Sequence, residues 1–406
     1  MKETKVIAEI GTSHAGSIEK AFALIDEAKA SGAHIVKFQW VYADEILHPD
    51  TGFVKLPGGE IRLYDRFKQL EVDKSFFESC CNHAHEKGLL FACSPFGLRS
   101  LEELVSIKPD AIKIASPEVN HIPLLKACSE YYGKIPIILS SGVSKLGDIE
   151  TAVEILTGNA DEKSTGKNIL VQGQKLPPLT LLHCITFYPA PEDEYNVRCV
   201  DTLSKVFGLP AGISDHSLDP VLVPSLTVAM GGTMIEKHIT LSKLTDGLDD
   251  PVALEGEQFA QMCLAVRQCD AVLNRYEKDD MASKSIHGEK LENGFVVSAA
   301  QSEIIRQMNL SYGKEKVLKV LGTGIKRLAK IETQNYGRTN RSLHYMRDIK
   351  AGEKISREDI SVLRTEKVLS PGISPVFLET VVDSVLCRDV RSGDGVDFAD
   401  FLNGKS

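Results

Sequence analysis

Two lysines stand inside apolar runs, Lys37 in Ile35-Val36-Lys37-Phe38 and Lys113 in Ala111-Ile112-Lys113-Ile114. An ammonium in such a strand is costly unless an anion partners it. The partner could be a carboxylate, Glu9 or Glu236, in a barrel-interior salt bridge. It could equally be a phosphate, with Ser94, Ser116, Ser140 and Ser141 nearby to add oriented donors. His216 and His238 end two later apolar runs. Neighbouring strands lie about 4.8 Å apart, so both imidazoles could meet one metal ion. Ligand type alone favours zinc or iron; if water and substrate oxygens complete the sphere, Mn²⁺ or Mg²⁺ becomes reasonable. Asp215 and Glu236 are candidates to orient the ligands. The ordinary alternative, a hydrogen-bonded buried histidine, applies to both and also to His183.

Eight short apolar runs carry these residues: Val6–Ile10, His34–Gln39, Leu89–Ser94, Ala111–Ser116, Pro136–Ser141, Leu179–Ile185, Ala211–His216 and Met234–Thr240. They are nearly continuous rather than alternating, as in strands buried on both faces of a parallel sheet. Helix-period segments separate them, at Ser17–Ser31, Asp73–Lys87, Leu98–Ile107, Ile122–Tyr131, Leu146–Leu156, Val197–Phe207 and Pro220–Met230, with a last one at Glu255–Leu273. Eight such alternations predict an α/β fold, a (β/α)8 TIM barrel. A doubly wound open sheet fits less well, given the count of eight and the lack of GxGxxG. A barrel places its active site at the C-terminal ends of the strands. Every proposed strand ends in polar residues, from Glu9, Lys37 and Gln39 round to Glu236 and His238.

Two stretches break the rhythm. Gly158–Pro178 is polar and reads as a surface insertion; Asn274–Glu315 reads as linker plus an extra helix. From Arg341, short strand-like pieces separated by Gly turns predict a small β-rich domain. The expected division is a barrel over 1–275, a linker over 276–338 and the small domain over 339–406.

The 406 residues carry 47 Lys+Arg against 56 Asp+Glu, a formal net charge of -9. No broad basic surface for nucleic acid is implied, so an anionic substrate needs a local cationic cluster. The nine cysteines are scattered without a CxxC, which predicts reduced thiols and a cytoplasmic protein. Neither a signal-peptide apolar region nor a membrane span is expected.

Several motifs resemble, in order, those of the sialic acid synthase family, the phosphoenolpyruvate-dependent nonulosonate synthases. They are Ile7-Ala8-Glu9-Ile10-Gly11, Val36-Lys37-Phe38-Gln39, Lys113-Ile114-Ala115-Ser116-Pro117-Glu118 and Leu139-Ser140-Ser141-Gly142. Next come Leu182-His183-Cys184, Tyr188-Pro189-Ala190-Pro191, Gly212-Ile213-Ser214-Asp215-His216 and Ile235-Glu236-Lys237-His238. Asn340-Arg341-Ser342-Leu343 is similar to the opening of the family's C-terminal antifreeze-like (SAF, β-clip) domain. The resemblance implies condensation of phosphoenolpyruvate with an open-chain N-acylated aminosugar, giving a nonulosonic acid and phosphate. It implies phosphoenolpyruvate on Lys37, Lys113, Ser94, Ser116, Ser140 and Ser214, and a divalent metal, Mn²⁺ or Mg²⁺, on His216 and His238. Glu9, Gln39, Tyr188, Thr186 and Asp249 would face the sugar, and Glu118 would be the acid/base, with Glu9 and Lys113 as its catalytic companions. The same resemblance implies a domain-swapped homodimer in which Arg341, or Arg338 as a fallback, reaches the partner's sugar site. This sequence departs from the pattern at Pro117 (usually Gly), Ser94 (commonly Thr) and Thr186 (often Asn in N-acetylmannosamine users), which leaves the sugar open. Two other readings stay open: a related synthase using a phosphorylated sugar, which would want a second basic cluster, and a catalytically silent glycan-binding barrel.

Overall fold

Strand residues alternate between the two faces of a sheet, and in a closed sheet one of those faces is the barrel interior. The computed structural model describes residues 3–56, 59–158, 167–245, 247–283, 288–290 and 296–401. Its barrel strands are β1 (Lys5–Gly11), β2 (Ile35–Trp40), β3 (Leu90–Pro95), β4 (Ala111–Ile114), β5 (Ile137–Ser140), β6 (Leu179–Cys184), β7 (Ala211–Asp215) and β8 (Met234–His238). All neighbours pair in parallel, and β8 closes on β1. The (β/α)8 barrel expected from the sequence is present.

Period two sorts each strand. Val6, Ala8, Ile10, Val36, Phe38 and Phe91 point outward into the main core under the helices. Ile7, Ile35, Ala92, Ala111, Ile138, Leu182 and Met234 point inward and fill the lower barrel. Two residues further on, the same inward positions turn polar: Glu9, Lys37, Ser94, Lys113, Ser140 and Glu236. The strands are thus apolar inside at one end and ionic at the other.

Local signals set the surrounding helices. Ser17 Oγ accepts from Lys20 N–H at 3.1 Å to open Ile18–Ser31, and Gly32, at φ 95°, closes it. The other predicted helices form within a few residues of their expected limits, and the last runs on to Ser283.

The Gly158–Pro178 expectation needs correction for its described part. Residues 159–166 lie outside the described residues, but Ile169–Val171 and Gln174–Leu176 form a hairpin. Its Leu176 is buried with the lower barrel interior and Val171 packs there too, so the hairpin plugs the barrel's N-terminal end rather than decorating the surface. The Asn274–Glu315 stretch holds a short antiparallel pair, Gly288–Lys290 with Val296–Ser298, and helix Ala299–Tyr312; helix Lys314–Leu321 follows.

The small domain builds its own core from Leu343, Tyr345, Ile349, Ile360, Leu378 and Val396 among others. Its strands β9 (Arg341–Tyr345) and β10 (Ile360–Arg364) pair antiparallel. It seats on its own chain's barrel: Leu47 bridges to Arg364, Val368 N–H donates to Thr51 O, and Asn120 exchanges two hydrogen bonds with the Arg341 backbone. Among the described residues no helix is long and apolar enough to cross a membrane. All nine cysteines are free and eight are buried.

Candidate active site

Register brings the ionic positions level. Glu9 lies opposite Lys37 on one side and His238 on the other, and Ser214 lies opposite Glu236. These side chains line a cavity of about 260 Å³ at the C-terminal end of the barrel. It also takes in Gln39, Lys113, Ser116, Ser140, Thr186, Tyr188, His216 and Asp249. Twelve of the fifteen residues to which the family resemblance gives a first-choice role therefore share one cavity.

Its floor is a mixed-charge cluster. Lys37 Nζ lies 2.8 Å from Glu9 Oε2 and 3.8 Å from Glu236 Oε2. Burial disfavours the Lys37 charge, but Glu236 and Glu9 outweigh it and hold the pKa above the ordinary lysine value. Lys113 Nζ donates to Ser140 Oγ at 2.7 Å and has no carboxylate in contact; burial pulls its pKa down to about 8 against the attraction of Glu236. Glu236 is held ionised, at about 2, because Lys113 and Lys37 overcome the effect of its burial. The lysines' carboxylate and anion readings are thus both served: the pairs exist, and Lys113 still faces the cavity with an incompletely neutralised ammonium.

Above the floor, His216 and His238 stand with ring centroids 5.7 Å apart. His216 Nδ1 lies 2.7 Å from Ile185 O, which makes it the protonated nitrogen and leaves Nε2 to the cavity, 3.3 Å from Ser214 Oγ. Burial lowers the His238 pKa and keeps that imidazole neutral. Tyr188 stacks on His216 at 4.1 Å. Buried His238 Nδ1 and Glu236 Oε2 have no hydrogen-bond partner. Burial would lower the His216 pKa, but the neighbouring Cys184 and the Ile185 carbonyl outweigh it and raise it to about 9. A divalent cation on Nε2 would take the place of that proton, and two imidazoles beside an under-coordinated carboxylate fit one.

Two glycines are dictated by this crowding. Gly11 (φ 56°) turns the chain at the end of β1, where a Cβ would press on Glu9 Oε1 and Gln39 Nε2 at 3.2 Å. At Gly142 a Cβ would fall 2.0 Å from Thr186 Oγ1, so the loops after β5 and β6 touch only through a glycine.

Three expectations are corrected. Ser94 points inward but is fully buried against Lys37, donor to its Oγ at 3.3 Å, and does not line the cavity. Glu118, the expected acid/base, has no exposure: Arg341 Nε donates to its Oε2 at 2.6 Å and an Arg364 terminal nitrogen to its Oε1 at 2.8 Å. Burial would raise its pKa, but the two guanidiniums lower it. Arg341 does not line the cavity of its own chain. Its guanidinium holds Glu118 and the carbonyls of Glu45, Phe96 and Val362 in its own chain. The fallback, Arg338, bonds the carbonyls of Glu366 and Leu369 and also misses the cavity. Two orienting roles change as well. Asp215 pairs with Lys237 at 2.7 Å on the outward side of the strands, and Glu236 faces the cavity itself. His183 bonds Tyr195 O at 2.6 Å, the ordinary buried-histidine arrangement.

Sequence reasoning missed Arg364, Cys184, Phe67, Phe96, Leu248 and Thr339 on the cavity wall. Arg364 is the small domain's cation there, 5.3 Å above the Phe96 ring, with Nε unpartnered. Its place in β10, directly across the strand pair from the expected Arg341, carried no signal beyond its charge.

The closed parallel barrel, the ionic cavity at its C-terminal rim and the β-rich cap define a (β/α)8-barrel enzyme with a C-terminal SAF domain. The chain belongs to the NeuB family, which matches over residues 24–278; the SAF domain matches over 340–402. It is 28% identical to the N,N'-diacetyllegionaminic acid synthase of Campylobacter jejuni, over 97% of this chain and 99% of that one. Identity is also 28% to the spore coat polysaccharide biosynthesis protein SpsE of Bacillus subtilis, over 98% and 93%. The crystal structure of SpsE superposes with a TM-score of 0.75 at 26% identity, covering 98% of this chain and 95% of that one.

Proposed function

We propose that this protein condenses phosphoenolpyruvate with an open-chain N-acylated aminosugar, forming a nonulosonic acid and releasing phosphate. One observation carries the reading: two buried ammoniums and two facing imidazoles share a single cavity at the barrel's catalytic end. Lys37 and Lys113, with Ser116, Ser140 and Ser214, would hold the phosphate and carboxylate of phosphoenolpyruvate. The floor's two ammoniums already face two carboxylates, so a substrate of about three negative charges near neutral pH needs further positive charge. His216 and His238 would hold it as a divalent ion, Mn²⁺ or Mg²⁺, which supplies Lewis acidity at the aldehyde oxygen when bound.

In this reading the C3 carbon of phosphoenolpyruvate attacks the sugar aldehyde, water adds at C2, and the C–O bond to phosphate breaks. Lys113 steadies the departing phosphate. The alkoxide formed from the aldehyde takes up a proton, the attacking water gives one to a cavity carboxylate, and the new C2 hydroxyl loses its proton as phosphate departs and the ketone forms. Glu9 is the candidate carboxylate: it lines the cavity, with Gln39 Nε2 and Lys37 Nζ each at 2.8 Å, whereas Glu118 lies off the cavity between two arginines and Glu236 is held too acidic to be an effective base. Gln39, Thr186, Tyr188, Asp249 and Arg364 would face the sugar. Phe67, Phe96, Pro117 and Leu248 give that end apolar walls, which suit the acyl and methyl groups of a 2,4-diacetamido-trideoxyhexose better than the hydroxyls of N-acetylmannosamine. Among the described residues Arg364 is the cavity's one further cation, and it is already paired. This argues against a phosphorylated sugar.

The chain's own small domain completes the cavity. An exchanged homodimer would make the same Glu118–Arg341 and Glu118–Arg364 contacts between copies, and we keep both the dimer and a cytoplasmic setting as parts of the proposal. The test is a panel of phosphorylated and unphosphorylated aminosugars with phosphoenolpyruvate and Mn²⁺, read as phosphate and 2-keto acid. Chelator should abolish the signal and Mn²⁺ restore it. Release with phosphorylated sugars alone, or with none, would overturn the reading.

A further inference from the structure

Val143 follows the loop that ends β5, and its backbone is in the left-handed region at φ 42° although it is β-branched and fully buried. Such a residue persists only where its surroundings fix it. Here the fixing groups come from far along the chain. Glu332 Oε1 accepts from Val143 N–H at 2.8 Å, and Asn340 Nδ2 donates to Val143 O at 3.1 Å. Lys326 Nζ donates to Ser141 O at 2.7 Å. The chain from Lys326 to Asn340, which runs from the linker into the start of the small domain, thus holds three backbone groups of the segment that follows Ser140.

The same Glu332 oxygen also accepts from Thr186 N–H at 2.7 Å, in the loop after β6. Its other oxygen accepts from Ala329 N–H at 3.1 Å, which fixes the carboxyl within its own turn. Glu332 has no exposure. It lies behind the cavity wall and not on it. One acceptor therefore ties together two loops that carry opposite ends of the site: Ser140 with its Lys113 contact, and Thr186. Between them Gly142 N–H donates to Ser116 Oγ at 2.9 Å, so the tie extends to a third loop.

We infer that Glu332, with Asn340 and Lys326, is a positioning clamp: the inter-domain segment sets the distance between the phosphoenolpyruvate end and the sugar end of the cavity. The inference rests on the substrate assignment above for the names of those ends. The clamp is asymmetric. Glu332 touches both loops, whereas Asn340 touches only the loop after β5. Losing Glu332 should disturb both substrates, and losing Asn340 should disturb phosphoenolpyruvate alone.

The experiment compares Glu332→Ala, Glu332→Gln and Asn340→Ala in the full chain. It measures KM for each substrate and amide hydrogen exchange at Val143 and Thr186 without substrates. Glu332→Ala should raise both KM values roughly tenfold, the loss of one shared acceptor for two buried donors, and speed exchange at both amides. Glu332→Gln keeps an oxygen for both donors and should restore both KM values to within about threefold of wild type. Asn340→Ala should raise KM for phosphoenolpyruvate and leave that for the sugar unchanged. A residue that only held the segment down would lower the yield of folded enzyme and move neither KM. Unchanged KM values and exchange in folded Glu332→Ala would overturn the clamp. If Glu332→Ala does not fold, equal effects of Asn340→Ala on both substrates would overturn it. Failure of wild type to release phosphate with any sugar would overturn the substrate reading alone, since the exchange measurements need no substrate.

Discussion

The barrel floor and the seam beneath the small domain each bury cations against carboxylates, yet they are built to opposite ends. In the seam, both oxygens of Glu118 are engaged, and Arg341 also donates to four backbone carbonyls, those of Glu45, Ile46, Phe96 and Val362. In the floor, among the described residues, Lys113 has a hydroxyl and a carbonyl but no carboxylate in contact, and Glu236 Oε2 and His238 Nδ1 make no hydrogen bond, with only the 3.8 Å approaches of Lys37 and Asp249. A saturated ion cluster holds parts together, and an unsaturated one facing a cavity is poised for a ligand. Charge and burial are alike in the two places; the difference is how many hydrogen-bonding positions remain free.

The contrast breaks most visibly if the two clusters are emptied in turn. Lys113→Met should fold and lose about three orders of magnitude in kcat/KM for phosphoenolpyruvate, because a desolvated charge on the phosphate has no replacement. Glu118→Gln should do the reverse, leaving two buried guanidiniums without their counter-charge. A loss of about 3–5 kcal/mol in stability is expected, measured by denaturant unfolding together with protease sensitivity of the 322–340 segment. The remaining folded fraction should keep a wild-type pH profile. A shifted profile in that variant would return Glu118 to the acid/base role and erase the distinction between the clusters.

A smaller effect sharpens the floor's half of the comparison. With its pKa drawn down to about 8, free Lys113 loses its proton as pH rises through that value, and the neutral amine no longer attracts phosphate. Above pH 8, kcat/KM for phosphoenolpyruvate should fall about tenfold per unit. Bound phosphoenolpyruvate favours the ammonium, so the corresponding limb of kcat should lie at higher pH. Coincident limbs in the two profiles would mean that Lys113 does not touch the anion.

Much of this was legible in the chain because period two is a strict code. Once the eight runs are strands, the inward polar positions follow, and Glu9, Lys37, Lys113, Ser140, Ser214 and Glu236 fall at one end. The code stops where the strands stop. Ser116–Glu118 is a single turn of 3-10 helix, and residues two apart on three residues per turn point to different sides. Ser116 therefore reaches the cavity while Glu118 turns into the seam. Ser94 obeys the parity and lies opposite Gln39, yet it is fully buried against the Lys37 ammonium, which depends on how that side chain packs. Arg364 and Glu332 were invisible for another reason: their positions depend on how the small domain seats, and nothing periodic in the sequence encodes that.

Arg364 is where the two clusters meet, since it completes the seam through Glu118 and also stands on the cavity wall with Nε unpartnered. Arg364→Lys separates the two roles. A lysine ammonium can still pair with Glu118, so stability should change by no more than about 1 kcal/mol, but it lacks the planar face over Phe96 and the Nε–H. The expected consequence is the smallest of the series, a rise of roughly threefold to tenfold in KM for the sugar with KM for phosphoenolpyruvate unmoved. Arg341→Lys is the control on the seam side: four backbone carbonyls lose their guanidinium donors there, so stability should fall further while the sugar KM of the folded fraction holds. An unchanged sugar KM in Arg364→Lys would assign Arg364 wholly to the seam and leave the sugar end of the cavity without a cation.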